Sequence, residues 1–224
     1  MKKRVIIIIS ILIIAIIGLV WFLGTRSEGT TGTTDEGNTI DTADAIYPAS
    51  EETGWIGEKI IGDPDEASVV LYEYADYGCS HCADWNKTIN DLIKEHEGKI
   101  AVVFRGYDLG FQNGAMAAKA ATAAQIQGYF KEYKDLLFNY QTEWFYENKS
   151  DAEELFVQYF NRVTDGTGDI EKFEEDMRSD AVRKRLEFEE EMGKKVKLRG
   201  TPLFRINGKT ISSGNLVKTI EEML

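Results

Sequence analysis

The chain has 224 residues, 43% of them hydrophobic and 29% charged, and a formal net charge of −12; that length suits one domain, or one domain with an insertion. The first 26 residues hold four bases and no acids, so residues 27–224 carry 22 − 38 = −16. A surface of that sign argues against nucleic acid, whose phosphates call for a basic face, and its ordinary meaning is solubility.

Lys2, Lys3 and Arg4 precede residues 5–23, "VIIIISILIIAIIGLVWFL", a run of 19 without a charge. At about 1.5 Å per residue, such a helix nearly spans the ~30 Å hydrocarbon layer. The basic residues 1–4 are expected on the cytoplasmic side, with Trp21 and Phe22 at the outer interface. A cleaved signal peptide is the rival, but its apolar stretch usually runs ~7–15 residues before a small-residue cleavage site. "GLVWFLGTRS" offers no such site, and with no cysteine nearby a lipoprotein anchor is set aside. The expectation is a single-pass signal anchor in the cell membrane, with everything after Thr25 extracytoplasmic, where disulfides persist.

Residues 24–54 are rich in Gly, Thr, Ser and acids and read as a flexible linker. The folded domain is expected over 55–224. "ASVVLYEYAD" (67–76), behind the turn signal "GDPD", predicts a buried strand. From Cys79 to His96, Trp85, Ile89, Leu92 and Ile93 recur at helical spacing, with Gly98 as the stop. "KIAVVFRGY" (99–107) predicts a second strand. Helical patterns then fill 113–141, broken near Gly128, and 150–163, opened by Ser150 and Glu153 as a capping box. Two further helical stretches fall around 169–177 and 180–192. Phe130, Tyr133, Leu136, Leu137 and Tyr140 are expected as core of this block. "TPLFRINGKTISS" (201–213) predicts a strand, an Asn207-Gly208 turn and a strand, and a helix closes the chain. The pattern is an α/β domain with a helical insertion at about 110–192.

Cys79 and Cys82 are the chain's only cysteines, and they bracket Ser80 and His81. Metal, a structural disulfide and redox exchange are the three readings. Zinc needs three or four protein ligands, and beyond this pair only His81, His96 and carboxylates are on offer. A structural disulfide closing so small a loop constrains the unfolded chain little. Exchange chemistry is favoured over both. At a helix N-terminus the unpaired amides and the positive dipole end favour an anion, which lowers a thiol from ~8.5 into the range ~3.5–7.5. Cys82, one turn on, is expected to be the more sheltered sulfur. That asymmetry suits a nucleophile and a resolving thiol.

"VVLYEYADYGCSHC" together with "RGTPLFRING" resembles the thioredoxin superfamily, and specifically its DsbA-like thiol–disulfide oxidoreductases. The stretch "FRGYDLGFQNGAMAAKAATAAQIQGYFKEYKDLLF" (104–138) is similar to bacterial members, and the likeness covers roughly 58–224. It implies a thioredoxin fold with a helical insertion, Cys79 as nucleophile and Cys82 as resolving cysteine. It also implies a cis Thr201-Pro202 bond facing the disulfide, presenting the Thr201 backbone to an extended substrate strand. Glu73 matches the buried acid that helps move the proton at the resolving sulfur, and His81 matches a retained histidine. Ser80 stands where oxidising members often have proline, which bears on the redox potential, and Asp108-Leu109 where relatives often have Pro-Leu. Ser80 and Gly200 are further candidates for lining the substrate site.

The resemblance implies an extracytoplasmic enzyme acting on cysteine-containing polypeptides, with no cofactor and no metal. Oxidation is the favoured direction, with the Cys79–Cys82 pair reoxidised by a membrane quinone reductase of the DsbB or vitamin-K-epoxide-reductase type. The alternatives are a reductase of exported proteins, as in cytochrome c maturation, and a thioredoxin-like module that binds peptides without exchange chemistry.

Overall fold

The computed structural model describes residues 42–224, and the expected anchor at 5–23 lies outside them. Among the described residues no helix is long and apolar enough to cross a membrane. Five strands, β1 (Lys59–Ile61), β2 (Val69–Ala75), β3 (Ile100–Gly106), β4 (Leu203–Ile206) and β5 (Lys209–Ile211), form one sheet in the order β1-β3-β2-β4-β5. β2 and β3 run parallel, joined by the crossover helix α1 (Ser80–Glu95), whose apolar stripe packs back onto the sheet. β4 is antiparallel to β2 and turns into β5. The turn needs positive φ at both central positions, and Asn207 (49°) and Gly208 (75°) supply it.

Side chains alternate along β2. Val69, Leu71 and Ala75 point into the main core with Ile89, Leu92 and Phe104, while Tyr72 and Tyr74 enter a smaller cluster on the opposite face with Val103 and Met192. Glu73 therefore shares the main-core face. Between β3 and β4 the chain makes α2 (Gly114–Ile126), α3 (Phe130–Asn139), α4 (Gln141–Phe145), α5 (Lys149–Val163), α6 (Ile170–Met177) and α7 (Asp180–Lys195). Gly128, at φ 86°, breaks the first two as its sequence signals. Helix α8 (Ser213–Glu221) closes the fold, burying Leu216 and Ile220.

Two expectations are corrected. The linker was expected to run to residue 54, yet residues from Thr42 onward pack on the domain. Ala43 is 1% exposed, and its carbonyl accepts from Tyr74 Oη at 3.2 Å and from Arg105. Arg105 also donates to the Ala45 carbonyl at 2.8 Å, and Asp44 pairs with Arg205 at 2.7 Å. Buried arginines hold this segment together with Ile46 against the smaller core cluster and Tyr47 against Phe188, long-range partners of which its polar composition gave no sign. Strand β1 has no counterpart in the sequence reading, and its Lys59 and the preceding Glu58 are charged residues in the core. Both side chains are fully buried with Arg105, Arg185 and Glu189: Arg105–Glu58 at 2.8 Å, Arg185–Glu189 at 3.0 Å, with Lys59–Glu189 and Arg185–Glu58 also paired. This cluster bolts α7 to β1 and β3. The second correction is the cap of α5, which is Asn148, whose side chain accepts from Ser150 N and Asp151 N. Ser150 lies within the helix instead of capping it.

Candidate active site at the start of the first helix

The β2–α1 loop is built by one aspartate. Asp76 Oδ1 accepts from Gly78 N at 2.8 Å, its Oδ2 from Leu109 N at 2.6 Å, and its carbonyl from Cys79 N at 3.0 Å. The sequence signal for it is the Asp-x-Gly spacing of an Asx-turn. Burial pushes the Asp76 carboxyl up to about 6, and the two amide hydrogen bonds oppose that. From the insertion, Gln141 Nε2 donates to the carbonyls of Tyr77 (2.7 Å) and Cys79 (3.1 Å). Gly78 is required by space: a Cβ there would lie 2.4 Å from Phe111 Cβ. Gly78 and Gln141 escaped sequence reasoning because their partners are distant in the chain, whereas Asp76 carried the local Asp-x-Gly signal.

Cys79 is the N-cap of α1, with its own side chain making no cap hydrogen bond, and both cysteines are free thiols. Cys79 is 6% exposed and Cys82 0%, so the expected asymmetry holds in order although both are buried. The Cys79 thiol is pulled down from 9.0 to about 5, first by its hydrogen bond with the Cys82 thiol, against partial burial. The Thr201 side chain and the backbone N–H groups of Cys82 and His81 add to the lowering. The Thr201 hydroxyl is buried with no hydrogen-bond partner at ordinary distance among the described residues. Cys82 is pushed far above the ordinary thiol range by the same hydrogen bond and by burial. One sulfur is thus a ready anion at neutral pH and the other holds its proton.

The Thr201-Pro202 peptide bond is cis, and the Thr201 carbonyl lies 3.5 Å from Cys79 Sγ. Sheet register brings them together, since Leu203 pairs with Tyr74 at the end of β2. Glu73 is 1% exposed and neither carboxyl oxygen has a hydrogen-bond partner among the described residues. Burial pushes it up to about 7, with Lys134 opposing. His81 turns outward: its imidazole is 82% exposed, with Nδ1 3.9 Å from Asp84 Oδ2. Ser80 and His81 line a cleft of about 320 Å³ beside Cys79, together with Phe111, Gln141, Phe145 and Tyr146. Gly200 is exposed, and a Cβ there would meet nothing within 4 Å, so space does not demand a glycine.

The family model described as thioredoxin matches residues 55–224. The probable disulfide bond formation protein D of Bacillus anthracis is 24% identical over 151 residues, 64% of this chain and 67% of that protein. Na(+)/H(+) antiporter NhaA 1 of Mycobacterium sp. (strain KMS) is 33% identical over 156 residues, 68% of this chain but 24% of that protein. Among solved structures, oxidised BdbD from Bacillus subtilis superposes with a TM-score of 0.60 at 20% identity, covering 80% of this chain and 98% of that one. Wolbachia pipientis alpha-DsbA1 gives 0.59 at 22%, covering 74% and 90%. The chain belongs to the thioredoxin family, and within that superfamily it is a DsbA-like thiol–disulfide oxidoreductase.

Proposed function

We propose that the chain oxidises cysteine pairs in polypeptides outside the cytoplasm, tethered to the membrane by residues 5–23. The observation that carries this reading is the thiolate character of Cys79, held near 5 beside a Cys82 that keeps its proton. A dithiol whose reduced form is stabilised in this way is a strong oxidant. A substrate thiolate attacks Cys79 Sγ of the disulfide form, the substrate–Cys79 bond forms, and Cys82 leaves as a thiolate. That thiolate takes a proton from Glu73. The second substrate thiolate then attacks the substrate sulfur, a substrate disulfide forms, and Cys79 departs as a thiolate. Two electrons have moved to the enzyme pair, and a membrane quinone reductase of the DsbB or vitamin-K-epoxide-reductase type takes them up.

The aromatic wall of the cleft supports polypeptide substrates. Phe111 is 40% exposed and Tyr146 77%, so apolar side chains flanking a substrate cysteine find a platform beside the sulfur. The Thr201 backbone offers hydrogen bonds to the extended strand, and Ser80 and His81 form the rim. The name of the Bacillus anthracis relative agrees with the oxidising direction.

The deciding measurement is the Cys79–Cys82 reduction potential against glutathione. A value well above that of thioredoxin, about −270 mV, is expected. A value at or below it would make the protein a reductase of exported proteins. Loss of insulin reduction in Cys79→Ser separates either enzyme from a peptide-binding module.

A further inference from the structure

Two residues of opposite hydrogen-bonding capacity grip the loop that carries Cys79. Asp76 accepts: its carboxyl takes the N–H groups of Gly78 and Leu109, and its carbonyl takes that of Cys79. Gln141 donates: its Nε2 holds the carbonyl of Tyr77 at 2.7 Å and that of Cys79 at 3.1 Å. Both partners are acceptors, which only the amide nitrogen can satisfy. The peptide groups so held, Tyr77–Gly78 and Cys79–Ser80, enclose Gly78 and the nucleophile. Gly78 is the freest residue of the loop, and Phe111 leaves no room there for a side chain. A loop that must carry a glycine beside its nucleophile needs an outside clamp to keep one conformation.

The clamp itself is anchored. Gln141 is 8% exposed and opens α4, a helix of 5 residues with little stability of its own. Trp144 is fully buried, and its Nε1 donates to the Leu137 carbonyl of α3 at 2.9 Å. Asn113, at the start of α2, donates through Nδ2 to the carbonyls of Trp144 and Glu147, both at 2.9 Å. Helix α4 is thus a bracket fixed by α2 and α3, with Gln141 as the arm that reaches the catalytic loop. The Cys79 carbonyl also accepts from Cys82 N at 3.1 Å and Ala83 N at 3.2 Å, so Gln141 is a third donor on the oxygen that opens α1. Holding that oxygen fixes the first turn, whose His81 and Cys82 N–H groups act on the sulfur.

We propose that Gln141 is a positioning residue for thiol–disulfide exchange: by holding the carbonyls of Tyr77 and Cys79, it keeps the Cys79 sulfur at the amides of the first turn of α1 and beside the Thr201 carbonyl. Released, the two peptide groups rotate about the Gly78 torsions, the amides swing off the sulfur, and the anion there loses stabilisation. The insertion thereby enters the chemistry without supplying an atom to it. The proposal rests on Cys79 being the exchanging thiolate, in whichever direction electrons flow, and the test separates the two.

Gln141→Met keeps the length and the neutrality of the side chain and removes the donor. The ionisable groups that act on Cys79 are Cys82 of α1 and Asp76 of the loop, while His81 and Asp84 turn to solvent. The substitution changes none of them, so any movement of the Cys79 titration reports position. Thiolate absorbance of the reduced full chain, followed against pH, should show a midpoint near about 5 in the parent and a higher one in Gln141→Met. At neutral pH the equilibrium with glutathione should shift toward the disulfide, about tenfold for each unit the midpoint rises. Gln141→Ser, in which water from the cleft reaches the freed carbonyls, should move both readouts the same way and serves where the Met variant does not fold. Gln125 is the control. Its Nε2 holds the carbonyls of Gly57 at 2.9 Å and Glu58 at 3.0 Å, so Gln125→Met loses an equivalent pair of bonds away from the cysteines. It should lower the urea midpoint and leave the titration where it is. If the Gln141 variants lose stability in the same way but keep the parent titration and glutathione equilibrium, Gln141 is scaffold alone and the proposal is overturned. A parent that titrates near the ordinary 9.0 overturns the thiolate reading and the proposal with it.

Discussion

The Cys79 sulfur lies 3.5 Å from the carbonyl oxygen of Thr201, a residue 122 positions further along the chain. The intervening insertion helices leave and return between two strands that flank β2 on opposite sides. The antiparallel register of Leu203 with Tyr74 then delivers Thr201 to the loop that carries the cysteine. The fold places a strand-like backbone edge beside a thiolate, which is the geometry a thiol-bearing peptide needs in order to dock and react.

The first prediction concerns how the thiolate is held. Its largest stabilising influence is the Cys82 thiol, followed among the favourable ones by Thr201 and by amides at the helix start. Cys82→Ala should therefore raise the Cys79 titration clearly above about 5 while leaving it below the ordinary 9.0. Ultraviolet thiolate absorbance against pH reads this directly. A titration that does not move would assign the lowering to the helix end alone.

The second follows by linkage. Cys79 has a folded value of about 5, below its ordinary 9.0, so between those values the folded reduced protein binds fewer protons than the unfolded one. Its stability contribution is fully present above the ordinary value and is lost as pH falls through about 5. The disulfide form has no such group, and acids that titrate in both forms, such as Asp76, largely cancel in the comparison. The Tm of the reduced protein relative to the oxidised protein should climb from about pH 5 to about pH 8. A difference flat across that window contradicts the thiolate assignment. Cys82, displaced upward, opposes the trend only in more alkaline solution.

Much of this site was legible in the sequence because it depends on local order. The apolar spacing of Ile89 and Leu92 declares α1, the β-branched run declares β2, and the Cys-x-x-Cys falls at their junction. Thr201-Pro202 before a strand is equally local. What the sequence hid is held by long-range polar contacts. Gln141 grips the Cys79 loop from 62 residues away, and Arg105 orders Ala43 from 62 residues away. Lys59 and Glu58 carry no apolar signature, so neither β1 nor the packing of residues 42–50 shows a hydrophobic period. His81 matches the family's retained histidine, yet from the first turn its side chain points to solvent, and it is its backbone N–H that lowers the thiol.

Asp76→Ala supplies the third prediction. It removes the acceptors of Gly78 N and Leu109 N, and the Gly78 amide, left buried and unbonded, costs about 1–3 kcal/mol. Urea midpoints should fall accordingly, and Asp76→Asn, which keeps one carbonyl acceptor, should lose less. Equal stability of the two variants would show that the carboxylate does not shape the loop.

Glu189 tests the buried charge cluster. It pairs with Lys59 and Arg185 and accepts from Gly106 N at 2.7 Å. Glu189→Gln leaves two cations without their carboxylate, a loss of about 3–5 kcal/mol by analogy with broken buried pairs. Chemical denaturation should show that loss while the Cys79 titration in the folded protein is unchanged. A variant as stable as the parent would mean that Glu58 alone answers the three cations.

The last prediction asks what the cleft recognises. Phe111 packs near Phe145, with ring centroids 6.4 Å apart, and it closes over Gly78, which has no room for a side chain. Its ring is nevertheless 40% exposed, so a peptide laid along the cleft covers apolar surface that water now wets. Truncating such a ring removes part of the ~1.5–3 kcal/mol of a fully buried aromatic, on the order of 1 kcal/mol, or about fivefold in affinity. Phe111→Ala should therefore raise KM about fivefold for an unfolded dithiol polypeptide. Exchange with glutathione, which has no apolar side chain to lay on the ring, should keep its rate. Tyr146→Ala, at the outer end of the cleft, should show a smaller loss of the same kind. If Phe111→Ala slows both substrates equally, the ring shapes the Cys79 loop through Gly78 and does not bind the polypeptide. The glutathione control makes that distinction, because a displaced sulfur slows every disulfide, whereas a lost platform slows only partners with apolar side chains to lay on it.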